Sequence, residues 1–411
     1  MNKHLQRFAA FLIVILTVAA CTAPFGTGET QSSDQVATAA AMTLQALAPG
    51  TAELPINAPE ASADLLPRRL YFLGNDNQAI TQVYRMERDG KTKTQLTSES
   101  MNVTDYDVSL TDGSIAYVVS NQLLLANADG SNRRVLVDGG SSPDLHGFYS
   151  PVFSPEGQIL AYAHGGLNLY DLSTDMNRLV IPDHPTDGSL PLETYAPEIY
   201  SPDGTKLLIT VGHPPDSPST AAIYSPATQV LMQFAGTEES LTCCNFYGGA
   251  EWLADSSGFY AVASQSDSSY RFGVMWKVGA NSGAVETLNR AVAEDGTINL
   301  PYKPYLAPDG QLYFFFGAYT NSSGFFDAPV LELVRSAPDR VTDRTVTVLR
   351  GENFVLMDEA LWAPDASFVI VATAPARNWN QAGGVVELYY TDGQKSKVWL
   401  APFGKQMKWG P

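Results

Sequence analysis

Cysteine is scarce, with three residues in 411, too few for a disulfide scaffold. Basic residues are also scarce: 25 Lys and Arg against 43 Asp and Glu, a formal charge of −18. Nucleic acid and anionic membrane surfaces repel such a chain, so neither is expected as its main partner. Histidine is rare, and the four beyond the N-terminus are His146, His164, His184 and His213. No two have the spacing of a local zinc pair, and Cys243-Cys244 supplies no C-x-x-C, so no metal or other cofactor is expected. Asn75-Asp76-Asn77 is oxygen-rich but lacks the rest of a calcium loop. There is no G-x-S-x-G elbow, no phosphate-binding glycine loop and no distinguishable carboxylate couple of a glycosidase. No residue is therefore singled out as catalytic.

Long apolar runs are nearly absent. The clear one, Phe8 to Ala20, follows Lys3 and Arg7 and ends at Cys21. It is shorter than the roughly 20 apolar residues of a membrane span and has the form of a secretory signal over residues 1–20. Val18-Ala19-Ala20-Cys21 resembles the lipobox of bacterial lipoproteins. That resemblance implies lipidation at Cys21 and anchoring on the extracytoplasmic side of a bacterial membrane, in the cell envelope. Residues 21–64 are rich in Thr, Ala, Pro, Gly and Ser and read as a disordered tether, with one short helix over 35–48. A flexible tether of this length has an r.m.s. span of about 35–40 Å.

What the chain has in quantity is a repeated turn. Tyr200-Ser201-Pro202-Asp203-Gly204 joins one apolar run to the next. The device returns at Phe153-Ser154-Pro155-Glu156-Gly157, Leu306-Ala307-Pro308-Asp309-Gly310 and Trp362-Ala363-Pro364-Asp365-Ala366, with weaker copies at Asp112 and Asp255. Proline presets the first turn dihedral and glycine accepts a positive φ. Between turns lie short β-rich runs such as 114–119, 122–126, 133–137 and 311–316. Four antiparallel strands per unit, spaced at blade length, predict a single all-β propeller over 65–411. The six turn acids mark six units. Met407-Lys408-Trp409-Gly410-Pro411 copies the approach to the turn at 360–364, and Pro67 to Phe72 copies the strand that follows one. Seven four-stranded blades are expected, with the C-terminal strand completing the first blade as its innermost strand and leaving no open edge.

These Ser-Pro-Asp-Gly units resemble the repeats of the TolB-type propeller superfamily, over about 67–411. Ser256 and Ala366 depart from the pattern by replacing Gly, and Pro is missing before Asp112 and Asp255. The resemblance implies the fold and is almost silent on activity. Some relatives are oligogalacturonate lyases; the hydrolase domain of prolyl oligopeptidases is missing.

Strands are lettered A to D from the axis outward. The A–B and C–D turns are short. The B–C connections 212–220, 264–271, 317–329 and 373–384 are long, as are the D–A links 138–150, 182–197, 236–251 and 291–304. These two kinds emerge on one face, the expected binding face. Its candidates are His213 and the aromatics Tyr195, Phe246, Tyr247, Tyr270, Phe272, Tyr319, Phe325, Phe326 and Trp379. Exposed aromatics suit a protein, peptide or glycan partner; the alternative is that they pack on one another. Adjacent Cys243 and Cys244 form either a strained vicinal disulfide or two reduced thiols. The chain is read as a non-catalytic binding or scaffold module. The alternative is a propeller lyase or hydrolase acting on polysaccharide at the channel mouth.

Overall fold

The computed structural model describes residues 64–140, 148–185, 191–213, 217–234, 250–266, 271–289, 292–319, 330–338, 346–355, 357–374 and 382–411. They form seven antiparallel four-stranded blades. Blade 2 is Asp105–Val108, Ile115–Val119, Gln122–Ala126 and Arg134–Asp138. Blade 3 is Tyr149–Phe153, Ile159–Ala163, Gly166–Asp171 and Met176–Pro182. Blade 4 is Pro191–Tyr200, Leu207–His213, Ser217–Ser225 and Val230–Gln233, with the short piece His184–Pro185 added beside its first strand. Blade 5 is Ala250–Trp252, Gly258–Ser266, Arg271–Gly279 and Val285–Thr287. Blade 6 is Ile298–Leu306, Leu312–Tyr319, Glu332–Ser336 and Thr347–Val348.

Blades 7 and 1 share a strand. Blade 7 is Met357–Trp362, Phe368–Thr373, Gly384–Tyr390 and the beginning of Val398–Trp409; the rest of that strand opens blade 1, followed by Leu70–Asn75, Thr81–Met86 and Lys93–Gln95. Leu388 pairs with Val398 in one blade and Leu70 with Trp409 in the other. The expected seam is thus present. Gly404 lies where the strand passes from one sheet to the next, and a Cβ there would stand 2.7 Å from Val386 Cγ2 and 3.1 Å from Phe72 Cδ2. Only a residue without a side chain fits that crossing.

The turns form as their chemistry dictates. Asp203 Oδ1 accepts the Thr205 N–H at 3.0 Å, and Asp112, Asp255, Asp309 and Asp365 each accept the N–H two residues on in the same way. Gly204 and Gly310 take positive φ, and so do Ser256 (59°) and Ala366 (56°), the two departures from glycine. Ser256 gains a compensating bond, since its Oγ accepts the Asp203 N–H of blade 4 at 3.1 Å.

Seven apolar clusters hold the ring, and each joins one blade to the next. Tyr71 and Tyr117 meet between blades 1 and 2, Tyr162 and Ala116 between 2 and 3, Leu167 and Ile209 between 3 and 4. Ile223 and Phe259 meet between 4 and 5, Met275 and Phe314 between 5 and 6, Phe315 and Val369 between 6 and 7. Phe72 and Ile370 close the circle between 7 and 1. Burying each such side chain contributes about 1.5–3 kcal/mol, so the interfaces rather than the single sheets carry stability. The outermost strands stay largely exposed, as at Lys93–Gln95 and Met176–Pro182.

Candidate functional site

Two regions are candidates. The first is the face carrying the B–C and D–A connections. Several stretches expected to be loops are strand instead. Leu207–His213 and Ser217–Ser225 pair out to His213 with Ser217, and Gly258–Ser266 pairs with Arg271–Gly279 out to Ser266 with Arg271. Pro191–Tyr200 and Ile298–Leu306 likewise begin inside the expected D–A links. The pattern of apolar residues marks where a strand is buried, but hydrogen bonding carries these hairpins beyond it.

Tyr195 is corrected. It is 4% exposed within the cluster between blades 3 and 4, and its hydroxyl donates to Glu193 Oε2 at 2.6 Å. It is a core residue, turned inward because its strand begins earlier than expected. Tyr319 stays half-buried near the end of its strand, its hydroxyl donating to Val330 O at 2.7 Å. His213 and Phe272 sit at the strand ends of two long hairpins. Cys21, Cys243, Cys244, Phe246, Tyr247, Tyr270, Phe325, Phe326 and Trp379 lie outside the described residues.

The body of the chain enters on the opposite face. Leu66 N–H donates to Arg88 O at 2.9 Å, and Asp64 pairs with Arg88 at 2.9 Å, both on the C–D turn of blade 1. Pro411 O accepts from Arg69 Nη1 at 3.1 Å, where an A–B turn stands in other blades.

The second region, which sequence reasoning missed, is the axis. First strands pack side by side between blades 1 and 2, 2 and 3, 3 and 4, 5 and 6, and 7 and 1. Register breaks between Tyr149 and Val152, Pro197 and Ile199, and Tyr302 and Tyr305 mark bulges in them. Bulges re-aim side chains. Charged residues lie on these innermost strands in six blades: Asp105, Glu198, Glu251, Lys303, Glu359 and Lys408. Glu198 of blade 4 lies in the electrostatic field of Asp105 in blade 2, Lys303 in blade 6 and Lys408 in blade 1, which only a shared axis allows.

Some of these charges clasp the neighbouring blade. Asp105 Oδ2 accepts the Ser150 N–H and Asp107 Oδ2 the Phe153 N–H, both at 2.7 Å. Glu359 accepts the Gln406 and Met407 N–H groups. The clasped Ser150 (φ 52°) and Gln406 (φ 51°) hold left-handed backbone. Lys408 Nζ donates to Asp107 Oδ1 at 2.8 Å, and the Tyr106 hydroxyl donates to Gln406 O at 2.7 Å. Burial opposes the Lys408 charge, but Asp107 and Asp105 outweigh it and hold its ammonium above the ordinary value.

Elsewhere the balance differs. Burial pushes the Glu251 carboxyl up to about 7, with Lys303 pulling it back. Burial also lowers Lys303, against the fields of Glu359, Asp358, Glu198 and Glu251. Burial raises Asp105, Glu198 and Glu359 too. A signal for this region stands in the sequence: charged residues interrupt apolar strands a few positions before the turn. Among the described residues no group of three or more His, Cys, Asp or Glu is arranged to hold a metal ion.

No family model matches the chain, and no curated protein matches it. Solved structures do. A puromycin-hydrolyzing peptidase of Mycobacterium tuberculosis is similar at 13% identity and a TM-score of 0.53, over 82% of this chain and 52% of that one. An oligogalacturonate lyase from Vibrio parahaemolyticus is similar at 13% identity and a TM-score of 0.51, over 81% and 84%. TolB from Acinetobacter baumannii is similar at 16% identity and a TM-score of 0.42, over 80% and 79%. The fold is a β-propeller. At these identities the likeness is one of fold, and the chemistry of this propeller has to be argued from its own residues.

Proposed function

We propose that this TolB-like propeller is a lipid-anchored, extracytoplasmic binding or scaffold module. It acts without catalysis, through the face of its B–C and D–A connections. The observation that carries the reading is the entry of the chain on the short-turn face, at Arg88. A tether arriving there from a lipidated Cys21 turns the long hairpins away from the membrane, toward protein, peptide or glycan partners.

The test has two parts. Cys21→Ser should move the protein from the membrane fraction to the soluble one; retention in the membrane overturns the anchoring. Paramagnetic or crosslinking labels placed beside Tyr319 and beside Asp203 should report a membrane-distal Tyr319 in reconstituted vesicles. Labels closer to lipid at Tyr319 than at Asp203 overturn the orientation. A second reading, an enzyme on polysaccharide at the channel mouth, draws on the raised Glu251 carboxyl at the axis. Turnover of a glycan panel, lost in Glu251→Gln, would replace the first reading with this one.

A further inference from the structure

Trp399 is the one exposed tryptophan among the described residues. Trp252, Trp276, Trp362 and Trp409 lie in or against the clusters between blades. Trp399, on the outermost strand of blade 7, is 58% exposed. The register of that strand explains its position. Glu387 pairs with Trp399 and Val386 with Ala401, so Leu400 is an extra residue. This bulge lets Leu400 and Ala401 both pack toward blade 1. It leaves Trp399 on the opposite face, the one that carries Glu387 and the core residue Tyr389 toward blade 6.

That face also holds a fixed polar group. Lys397 Nζ lies 2.8 Å from Glu387 Oε1 and donates to Oε2 at 2.9 Å. The Tyr389 hydroxyl donates to Glu387 Oε2 at 2.7 Å. Lys397 and Arg350 stand over the Tyr389 ring, 5.5 and 5.7 Å from its centre. Arg350 is itself held by Glu352 and by the Tyr390 and Lys395 carbonyls. Directly opposed residues have Cβ atoms about 4.5–5.5 Å apart, so the Glu387 side chain starts beside the Trp399 ring. A carboxylate has about four acceptor sites, which leaves Glu387 capacity beyond these bonds. Its side chain and that of Lys397 both still reach solvent.

An aromatic face edged by a fixed carboxylate and ammonium matches a molecule with an apolar face and a rim of hydroxyls. A pyranose has this form. Its axial C–H bonds lie against the negative face of an indole, and its hydroxyls donate to a carboxylate and accept from an ammonium. A stable protein partner needs about 800 Å² on each side, with a centre poor in charge. Trp399 instead stands among Glu387 and Lys397, with Asp392 and Lys395 on the adjoining turn. A polyanionic glycan is opposed by the formal charge of −18.

We propose that Trp399, Glu387 and Lys397 form a binding platform for a neutral pyranose unit of a glycan chain, on the outer wall of blade 7. Trp399 stacks on the sugar ring, and Glu387 and Lys397 hold its hydroxyls. The platform requires neither the lipid nor the face of the long connections, so its failure leaves the loop-face reading standing.

Titration calorimetry on the full chain tests it, with the hexasaccharides of cellulose, chitin, xylan, amylose and β-1,3-glucan as probes. At least one should bind saturably, with a dissociation constant of about 1 mM or tighter. Trp399→Ala should weaken it at least about tenfold, while Trp399→Tyr, which keeps an aromatic face, should weaken it less than about threefold. Glu387→Gln should also weaken it; where that variant loosens the fold, the two Trp399 variants, changed at an exposed position, still decide. Absence of saturable binding by every probe overturns the proposal. So does unchanged affinity in Trp399→Ala, or an equal loss in Trp399→Ala and Trp399→Tyr. Self-association in sedimentation that Trp399→Ala abolishes, with no glycan bound, would make the ring an interface between copies and overturn it as well.

Discussion

The axis has two unlike sides. On the side of blades 7, 1, 2 and 3, each carboxylate that accepts a backbone N–H from the next blade is spent on architecture, and Lys408 is joined to Asp107. On the side of blades 4, 5 and 6, the Glu251 and Lys303 side chains make no hydrogen bond or ion pair among the described residues, and the Lys303 ammonium stands over the Tyr302 ring. The same ring thus uses buried charge in two ways. Where a carboxylate meets an amide it fixes one blade against another. Where it meets none, as at Glu251, the field of Lys303 alone opposes the effect of burial.

The largest expected effect would break the clasped side. Glu359→Ala leaves two backbone N–H groups without an acceptor and should cost about 3 kcal/mol in urea unfolding. Glu198→Ala on the open side frees one hydroxyl and should cost under about 1 kcal/mol. Equal losses would erase the distinction between the sides.

The next effect sharpens the open side through pH. The Glu251 carboxyl titrates near 7 when folded, against an ordinary 4.5. Below the ordinary value both states hold the proton and the residue is neutral to stability. As pH rises toward 7 the unfolded chain ionises first, so stability falls, and above 7 the full loss is present. Glu251→Gln removes that loss. With partial solvent contact discounted, it should stabilise the protein by about 1–3 kcal/mol at pH 8 and leave it unchanged at pH 4. A gain at both pH values, or at neither, contradicts the assignment.

The smallest effect lies off the axis and serves as a baseline. Ala366 is 1% exposed and holds left-handed backbone at 56°. Ala366→Gly relieves that conformation but gives up one buried methyl, a net gain of about 0.5 kcal/mol in melting experiments. Unlike the Glu251 change, it should be the same at pH 4 and pH 8.

Much of the architecture is legible in the residues. Asp203-Gly204 and its copies are local turn chemistry, readable from four residues at a time. Trp409-Gly410-Pro411 gave the ring closure because it copies Trp362-Ala363-Pro364. The face was harder. Tyr195 looked like a loop aromatic because the D–A link was read as running over 182–197, yet the pairing of Tyr195 with Val211 draws it into a strand. The axial charges were hidden for a different reason. Glu198, Glu251 and Lys303 occupy different offsets from their turns, and bulges interrupt the strands that carry Glu198 and Lys303. A bulge depends on pairing between strands and leaves little trace in the strand that carries it.

One strand has a further consequence. Between other consecutive blades the described chain leaves strand structure on its way from rim to axis. Val398–Trp409 does not. It runs unbroken from the outer edge of blade 7, where Trp399 is 58% exposed, to Lys408 at the centre. It is a rod laid from rim to hub. Because its two ends belong to different sheets, unpairing this one strand would open blades 7 and 1 together.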